Sequence, residues 1–178
     1  MLVWWLGAVA FVVVAAIVVL FNDLVAARNQ VRAAWSDIDV QLTRRHDLVP
    51  QLVAAVQGYA GYERATLTTV TELRTRAMAA ASLTERAQLE GELAQQIDRI
   101  LALQEQYPDL KASENFLALQ RDLVEIENHL QYARRFYNGA VRDLNNLIET
   151  FPSLIVARTA QFTPAAFFRH GTAQEAPE

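Results

Sequence analysis

Histidine and carboxylate residues are the side chains of this chain that could bind a metal. Helical bundles often hold two metal ions between glutamates and Glu-x-x-His pairs, whose two ligands share one helix face. The three histidines are His46, His129 and His170, and none has a glutamate three residues before it. Asp37-Ile38-Asp39 resembles the start of a calcium-binding loop, but neither the glycine nor the closing glutamate of such a loop follows. We therefore expect no metal ligands and no metal cofactor.

Other signatures of catalysis are also missing from the sequence. With no cysteine, the chain has no disulfide, no cysteine-ligated metal and no thiol nucleophile. It contains no Gly-rich phosphate loop and no nucleophile elbow. The 16 basic and 20 acidic side chains give a net charge of −4, so no basic excess attracts nucleic acid. We expect a protein that is not an enzyme, with no catalytic residues, no cofactor and no nucleic-acid partner.

Polar residues within the apolar stripes of the helices are more informative. Arg45 and Glu63 lie in the stripe of the first helical segment, while Gln120, Glu127 and Arg134 recur every seven residues beside the stripe of a later helix. A buried charge is costly unless it is paired. We therefore hypothesise that Glu63 or Glu127 pairs with Arg45 or Arg134 across helices and fixes their register. The alternative is that these side chains reach the rim of the bundle and stay hydrated.

The apolar residues around these charges recur at alternating steps of three and four from Leu24 to Ala77. Such a period is typical of helices packed side by side. Pro50 lies inside this run and lacks an N–H group, so we expect a kinked helix that continues past it, with a reversal at Pro50 as the alternative. Ser82-Leu83-Thr84-Glu85 has the pattern of a capping box and predicts a second helix over residues 84–106.

A third helix is predicted over residues 111–149 and ends before Phe151-Pro152. No segment alternates for long enough to predict a strand, so the fold class is all-α, an antiparallel up-and-down helical bundle with coiled-coil-like packing. The third helix would be about 58 Å long and the second about 35 Å. The longer helix needs a cover, which the segment after Pro152, the bend at Pro50 or another subunit could supply. Residues 169–178 are predicted to be a disordered tail.

The N-terminal run Leu2–Phe21 contains no charged residue and is 20 residues long. As a helix it spans about 30 Å, the hydrocarbon thickness of a bilayer. We expect residues 1–22 to form a single transmembrane signal-anchor helix and residues 23–168 to form the bundle. A cleaved signal peptide is the alternative, with Val25-Ala26-Ala27 as its best cleavage site.

The residues after this run predict the orientation and the connection of the anchor. Arg28 and Arg32 follow it, so the positive-inside rule places the bundle on the cytoplasmic side of a single-pass protein. The repeat of apolar residues starts at Leu24, and no helix breaker precedes Pro50. We therefore expect the anchor and the start of the bundle to share one long helix.

Several stretches of the chain match one family in order. They are Asn29-Gln30-Val31, Ala34 to Leu42, Arg44 to Val53, Gly58-Tyr59-Ala60 with Glu63, Tyr107 to Ala112, Phe116, Leu119-Gln120, Glu127, Ala133 to Asn138, Asn145 and Phe151-Pro152. On these residues the chain resembles the LemA family over roughly residues 22–168. The resemblance implies a bacterial inner-membrane protein with one anchor and a helical bundle. It implies no activity, because LemA proteins have no established biochemical function and no accepted catalytic residues.

The anchor, the long repeat and the missing catalytic motifs together suggest a non-enzymatic membrane scaffold. We hypothesise that it forms a homo-oligomer or binds other membrane proteins, which the sequence does not identify, besides the lipid bilayer. The candidate contact surface is Leu24–Leu42, including Trp35, for which an ordinary core position is the alternative. The alternative function is a ligand-binding or sensory bundle that transmits a signal through the bend at Pro50. Convergent polar groups around a cavity between helices would favour that alternative.

Overall fold

Helices make up most of the described chain. The computed structural model describes residues 2–59 and 64–169. The helices are α1 (Leu2–Gln57), α2 (Arg64–Ala79), α3 (Leu83–Ala102), α4 (Pro108–Lys111), α5 (Glu114–Glu149) and α6 (Ser153–Thr159), with a 3-10 turn at Leu103–Glu105. No strand occurs within the described ranges. The predicted all-α class is therefore confirmed.

Serine side chains start two of the helices. The Oγ of Ser82 accepts a hydrogen bond from the N–H of Glu85 at 3.1 Å, and the Glu85 carboxylate accepts one from the N–H of Ala81 at 3.2 Å. These two bonds satisfy amide groups that have no partner within α3, as in a capping box. At the start of α5, the Oγ of Ser113 accepts from the N–H of Phe116 at 3.4 Å. This cap explains why α5 begins at residue 114, three residues later than predicted.

The first helical segment ends earlier than the sequence predicted. Helix α1 continues past Pro50, as expected, so the alternative of a reversal at Pro50 is wrong. The expected continuation to Ala77 is also wrong, because α1 ends at Gln57 and α2 is a separate helix. A turn at Gly58 follows α1, and glycine is a poor helix former. The regular spacing of apolar residues thus belongs to two helices.

The chain folds as two compact units. One comprises Met1–Asp37 with Arg135–Phe167, and we call it the paired-helix unit. The other comprises Ile38–Arg134 with Phe168–Glu178, and we call it the four-helix unit. The predicted boundary after residue 22 falls inside α1, and most of the predicted tail, residues 170–178, lies outside the described residues.

The four-helix unit contains the C-terminal part of α1, then α2, α3 and the N-terminal part of α5. Helix α2 returns along α1 after a short connection. Helix α3 runs parallel to α1, because Asp39 pairs with Arg86 and Arg45 pairs with Glu90. The 3-10 turn and α4 then lead into α5. The core is formed by apolar residues of all these elements: Val49, Leu52, Val56, Leu67, Val70, Leu73, Ala77, Leu89, Leu93, Ile97, Ile100, Leu103, Leu110, Phe116 and Leu123.

In the paired-helix unit, the N-terminal part of α1 packs against the C-terminal part of α5. The rings of Trp35 and Tyr137 meet edge to face, with centroids 5.7 Å apart. After α6 the chain turns sharply at Gln161, which has a left-handed φ of 56°. The N–H of Phe162 then bonds to the carbonyl of Ala157 at 2.9 Å, which completes a Schellman-type helix end.

The segment after α6 lies along α5 within the paired-helix unit. The amide of Asn145 bonds to both backbone groups of Ala165, at 3.0 and 2.9 Å, and the Tyr137 hydroxyl donates to the carbonyl of Ala166 at 2.9 Å. The side-chain amide of Asn145 thus satisfies both the N–H and the C=O of Ala165, as the peptide group of a second backbone segment would. The segment after Pro152 is therefore one cover of the long helix, as the sequence analysis allowed.

The first turns of α1 expose their apolar side chains. The large apolar residues between Val3 and Phe21 are mostly exposed, and none of the most apolar 18-residue window of this helix is buried. By length and composition, α1 is the one helix in the described ranges that could cross a membrane. A signal sequence would have the same properties, so both interpretations of this run stay open.

Arg74 compensates for the proline inside α1. In an α-helix the N–H of residue 50 would bond to the carbonyl of residue 46, and Pro50 has no N–H to donate. The Nε of Arg74, on α2, donates to this carbonyl of His46 at 2.7 Å. A part-buried carbonyl without a partner would be costly. Arg74 therefore makes a proline tolerable in the middle of a packed helix and holds α2 against α1.

We predict that the stability effect of Arg74→Ala depends on Pro50. With Pro50 present, the variant should lose about 1–3 kcal/mol of unfolding free energy, because the His46 carbonyl loses its donor. In a Pro50→Ala background, the alanine N–H can serve this carbonyl, so the loss should fall below about 0.5 kcal/mol. Denaturant unfolding of the four variants measures both values. Arg76→Ala, an exposed arginine of the same helix, is the control. An equal loss in both backgrounds would contradict the compensation.

Candidate functional site

A group of charged side chains is buried in the four-helix unit. It is built on Arg45 and His46, adjacent residues of α1 that lie one turn before Pro50. Arg45 is only 2% exposed, and His46 is also buried. Consecutive residues of a helix point about 100° apart, yet both side chains reach the same residue of α3. The alternative in which Arg45 reaches the rim of the bundle is therefore wrong.

Helix α3 supplies the buried acid of this charge cluster. Glu90 is fully buried, and its Oε2 accepts from Nη1 of Arg45 at 3.3 Å. Its Oε1 lies 2.8 Å from Nε2 of His46. Because an ionised carboxylate only accepts, His46 donates through Nε2–H. Arg45 Nη1 also donates to the backbone carbonyl of Glu90 at 3.3 Å. Each oxygen of the buried carboxylate thus has a donor.

Helix α5 supplies the rest of the charge cluster. Nη2 of Arg45 bonds to Oε2 of Glu127, and Nη1 of Arg134 lies 3.5 Å from the other oxygen of Glu127. The Arg134 guanidinium also lies over the ring of Phe168, 5.5 Å from its centroid, a cation–π arrangement. The side chain of Glu127 is 37% exposed, so the cluster extends from the fully buried Glu90 to water. Two arginines face two glutamates, which balances the charge.

Burial changes the proton affinity of two groups at this site. Desolvation lowers the pKa of Arg134 to about 10, although the negative charge of Glu127 partly opposes the change. Burial, followed by repulsion from Glu127, raises the pKa of the Asp98 carboxyl, and attraction to Arg45 opposes this. Nε and Nη2 of Arg134 have no hydrogen-bond partner among the described residues. The periphery of the cluster is therefore less well satisfied than its centre.

A cavity of about 320 Å³ lies beside the charge cluster, within the four-helix unit. Its polar wall is formed by the side chains of Arg45, Asp98 and Glu127, together with two amides. In the part of the chain that the structure describes, no group of three or more His, Cys, Asp or Glu residues is arranged to hold a metal ion. The geometry therefore supports linking of helices and offers a small polar cavity. The remaining lining residues are Ala94, Ile97, Leu101, Leu123, Val124, Asn128 and Gln131.

The structure brings together three of the six residues that the sequence analysis singled out. Arg45, Glu127 and Arg134 belong to the charge cluster. Gln120 does not, because it is half-buried beside a shallow groove on α5. Glu63 lies outside the described residues.

Trp35, the sixth, belongs to the paired-helix unit. It is half-buried against Tyr137, which is the packing that its core alternative describes. The proposed role of these residues in fixing register stays a prediction.

Sequence reasoning missed Glu90 and the polar role of His46. Glu90 lies three residues before Leu93 and seven before Ile97, so it shares the buried face of α3. This spacing is a signal for its burial, but the apolar stripe also runs through Leu89 and leaves Glu90 at its edge. The sequence pattern presents His46 only as a possible metal ligand, whereas in the structure it neighbours Arg45 and shares the partner Glu90.

Comparisons with known proteins place the chain in a family. The family model described as LemA family matches residues 34–178, a range that contains the whole charge cluster. The chain belongs to the LemA family. It is 30% identical to Protein LemA of Metamycoplasma hominis, over 83% of this chain and 68% of that protein. It is also 23% identical to the magnetosome proteins MamQ 1 and MamQ 2 of Paramagnetospirillum magneticum, over 97% of this chain and 72% of each.

We predict strong coupling between Arg45 and Glu90 in this LemA-family protein. Glu90→Leu alone should cost about 3 kcal/mol or more, because it removes one acceptor of a buried guanidinium. Arg45→Met combined with Glu90→Leu should cost clearly less than the sum of the two single substitutions, since no buried charge then lacks a partner. Denaturant unfolding of the four variants in detergent gives the coupling energy.

The matched control for this cycle is Glu125 with His129, an exposed pair 3.5 Å apart on α5. Its coupling, measured with Glu125→Gln and His129→Gln, should stay below about 0.5 kcal/mol. If Arg45 and Glu90 couple no more strongly than this pair, the charge cluster does not hold the helices together.

Proposed function

We propose that this protein is a membrane-anchored, non-enzymatic scaffold of the bacterial inner membrane, with its four-helix unit on the cytoplasmic side. The observation that carries the proposal is the exposed apolar start of α1. The side chains of Trp4, Trp5, Phe11 and their apolar neighbours have no cover within the protein. Apolar surface of this extent is unfavourable in water, whereas a bilayer removes it from water along its full length.

Self-association is the second part of the proposal. The apolar residues of the earlier candidate surface, Leu24–Leu42, are largely used within the protein: Leu24, Val31, Ala34, Ile38 and Leu42 are buried. Helix α5 is a better candidate within the four-helix unit, because Leu117, Val124 and Tyr132 remain exposed there. Apolar side chains exposed along one helix are typical of protein contacts. We therefore assign the contact between copies to the outer side of α5.

We expect the full-length protein in lipid nanodiscs to contain more than one copy by light scattering. The chain has no cysteine, so a single introduced cysteine reports its own position without background. Val124→Cys should give a crosslinked dimer in membranes, because apolar contact would bring its two copies together. Gln95→Cys, at an exposed polar position of α3, should give none. A strictly monomeric mass with no crosslink would overturn the scaffold proposal; an oligomer crosslinked only through Gln95→Cys would overturn its assignment to α5.

The same cysteine tests the orientation. In intact cells, Gln95→Cys should resist a membrane-impermeant maleimide and react after permeabilisation, since positive residues after the anchor favour a cytoplasmic bundle. The intact mass of the membrane-bound protein should include residues 2–21. Labelling of intact cells would reverse the orientation. A mature chain that begins after Ala27 would show that the run is a cleaved signal peptide.

Ligand binding is the second candidate function, and the cavity beside the charge cluster favours it. Its volume of about 320 Å³ is near the lower end of small-molecule sites. Arg45, Asp98 and Glu127 offer charges of both signs to a small polar molecule. A strictly monomeric protein in the nanodisc experiment would favour this candidate over the scaffold.

A further inference from the structure

We propose that a second part of the chain contacts the membrane: the apolar cap formed by Phe151, Pro152 and Ile155, which rests in the interfacial layer of the bilayer that α1 crosses. This inference rests on the proposed membrane anchoring of α1 and extends it. The occupant of the cap surface is thus the lipid of the same leaflet. All the residues that carry the argument belong to the paired-helix unit.

The sequence and the burial of this region define one apolar surface. Residues 150–157 carry no charge, and Glu149 and Arg158 border them. Phe151 is 78% exposed and Ile155 is 59% exposed, whereas Ser153 and Ala157 of the same short helix are buried. Helix α6 therefore packs one face against the rest of its own unit and exposes an apolar face. Single exposed apolar residues are common, but adjacent ones on an uncharged segment form a contact surface.

The register of α1 and α5 places the cap level with the end of the apolar run. Trp35 and Tyr137 are in contact, which fixes one common level. Phe21 lies 14 residues before Trp35, and Phe151 lies 14 residues after Tyr137. At about 1.5 Å per helical residue, Phe21 and Phe151 are each about 21 Å from the level of the Trp35–Tyr137 contact.

The return segment shows that these two distances run in the same direction. Phe162, at the start of this segment, contacts Phe21 and Arg28. Ala165 then bonds to Asn145, and the next residue, Ala166, bonds to Tyr137. Asn145 therefore lies on the Phe21 side of Tyr137, which makes α5 antiparallel to α1.

Contacts after α6 keep the cap at this level. The ring of Phe162 meets that of Phe21 edge to face at 6.1 Å, and the Arg28 guanidinium lies 4.9 Å from the centre of the Phe162 ring. Phe21 is the last residue of the apolar run, where hydrocarbon gives way to headgroups. Arg158 can reach lipid phosphates from this level. Acidic Asp23 and Glu149 are also near it, so the apolar side chains, rather than net charge, drive the contact.

Spin-label accessibility in the full-length protein, reconstituted in liposomes, tests the proposal. Single cysteines carry a nitroxide at Ile155→Cys, at Arg142→Cys as the aqueous reference on α5, and at Val9→Cys as the lipid reference on α1. We expect the collision rate with a water-soluble nickel chelate to be several-fold lower at residue 155 than at residue 142. Collision with oxygen, which concentrates in lipid, should be higher at 155 than at 142.

A matched pair of variants tests the contribution of the cap itself. Phe151→Ser should raise the nickel collision rate at the residue 155 label toward the value at residue 142. Phe136→Ser makes the same change at an exposed phenylalanine of the paired-helix unit, one residue before Tyr137. It should leave the residue 155 label unchanged, because this site lies at the level of Trp35 rather than of Phe21.

The remaining outcomes of the accessibility experiment would contradict the cap proposal in different ways. If the Val9 label lies in lipid while the residue 155 label behaves like that at 142, the anchor stands and the cap proposal is overturned. If the residue 155 label is shielded from both reagents, a protein partner covers the cap, and the proposal is again overturned. If the Val9 label is open to the nickel chelate, the membrane anchor itself fails, and the cap proposal fails with it.

Discussion

The buried guanidinium of Arg45 is the constraint on which the four-helix unit depends. A charge removed from water needs acceptors, and α3 and α5 supply them as Glu90 and Glu127. The next residue, His46, donates its ring N–H to Glu90, while its carbonyl accepts from Arg74 of α2. Two consecutive residues of α1 therefore bond to each of the other three long helices. A helix that slid by one turn, about 5.4 Å, would separate these donors from their acceptors, which is why we predict that the charge cluster fixes the register of the helices.

The spacing of apolar residues in the sequence predicts that Arg45 is buried, but it does not identify the partner Glu90, for a physical reason. Arg45 interrupts a long apolar stripe, so its burial could be inferred from α1 alone. Its partner depends on how α3 is rotated about its own axis, and the spacing of apolar residues specifies that rotation only within about one residue. An apolar stripe through Leu89, Leu93 and Ile97 of α3 leaves Glu90 at its edge. Glutamate is also almost never fully buried unless it is paired, so residue type alone points away from the burial of Glu90.

The sequence predicts a helix end where a side chain caps the helix, but it does not predict one where only the backbone turns away. Ser82 and Glu85 form the expected cap, and the hydroxyl of Ser82 is what the pattern requires. The end of α1 at Gln57 gave no such signal. Val56 and Leu67 are 11 residues apart, a distance that also suits three turns of one continuous helix, so the spacing of apolar residues passes across the break unchanged. Pro50, the stronger helix breaker by residue type, was tolerated because Arg74 replaces its missing hydrogen bond.

Some groups of the charge cluster are fully hydrogen-bonded and link helices, whereas others keep polar atoms that a ligand could bind. Both oxygens of Glu90 have donors on α1, and Glu90 does not line the cavity, so this carboxylate serves helix contacts alone. The capacity that remains lies at the periphery. Glu127 is partly hydrated, Asp98 carries a carboxyl whose pKa burial raises, and Arg134 keeps two nitrogen atoms without partners among the described residues. A small molecule in the cavity would therefore meet Arg45, Asp98 and Glu127 but not the buried Glu90, which does not line it. Ligand binding and the linking of helices can thus share one cluster, since the Arg45–Glu90 pair links α1 to α3 through a carboxylate that lies away from the cavity.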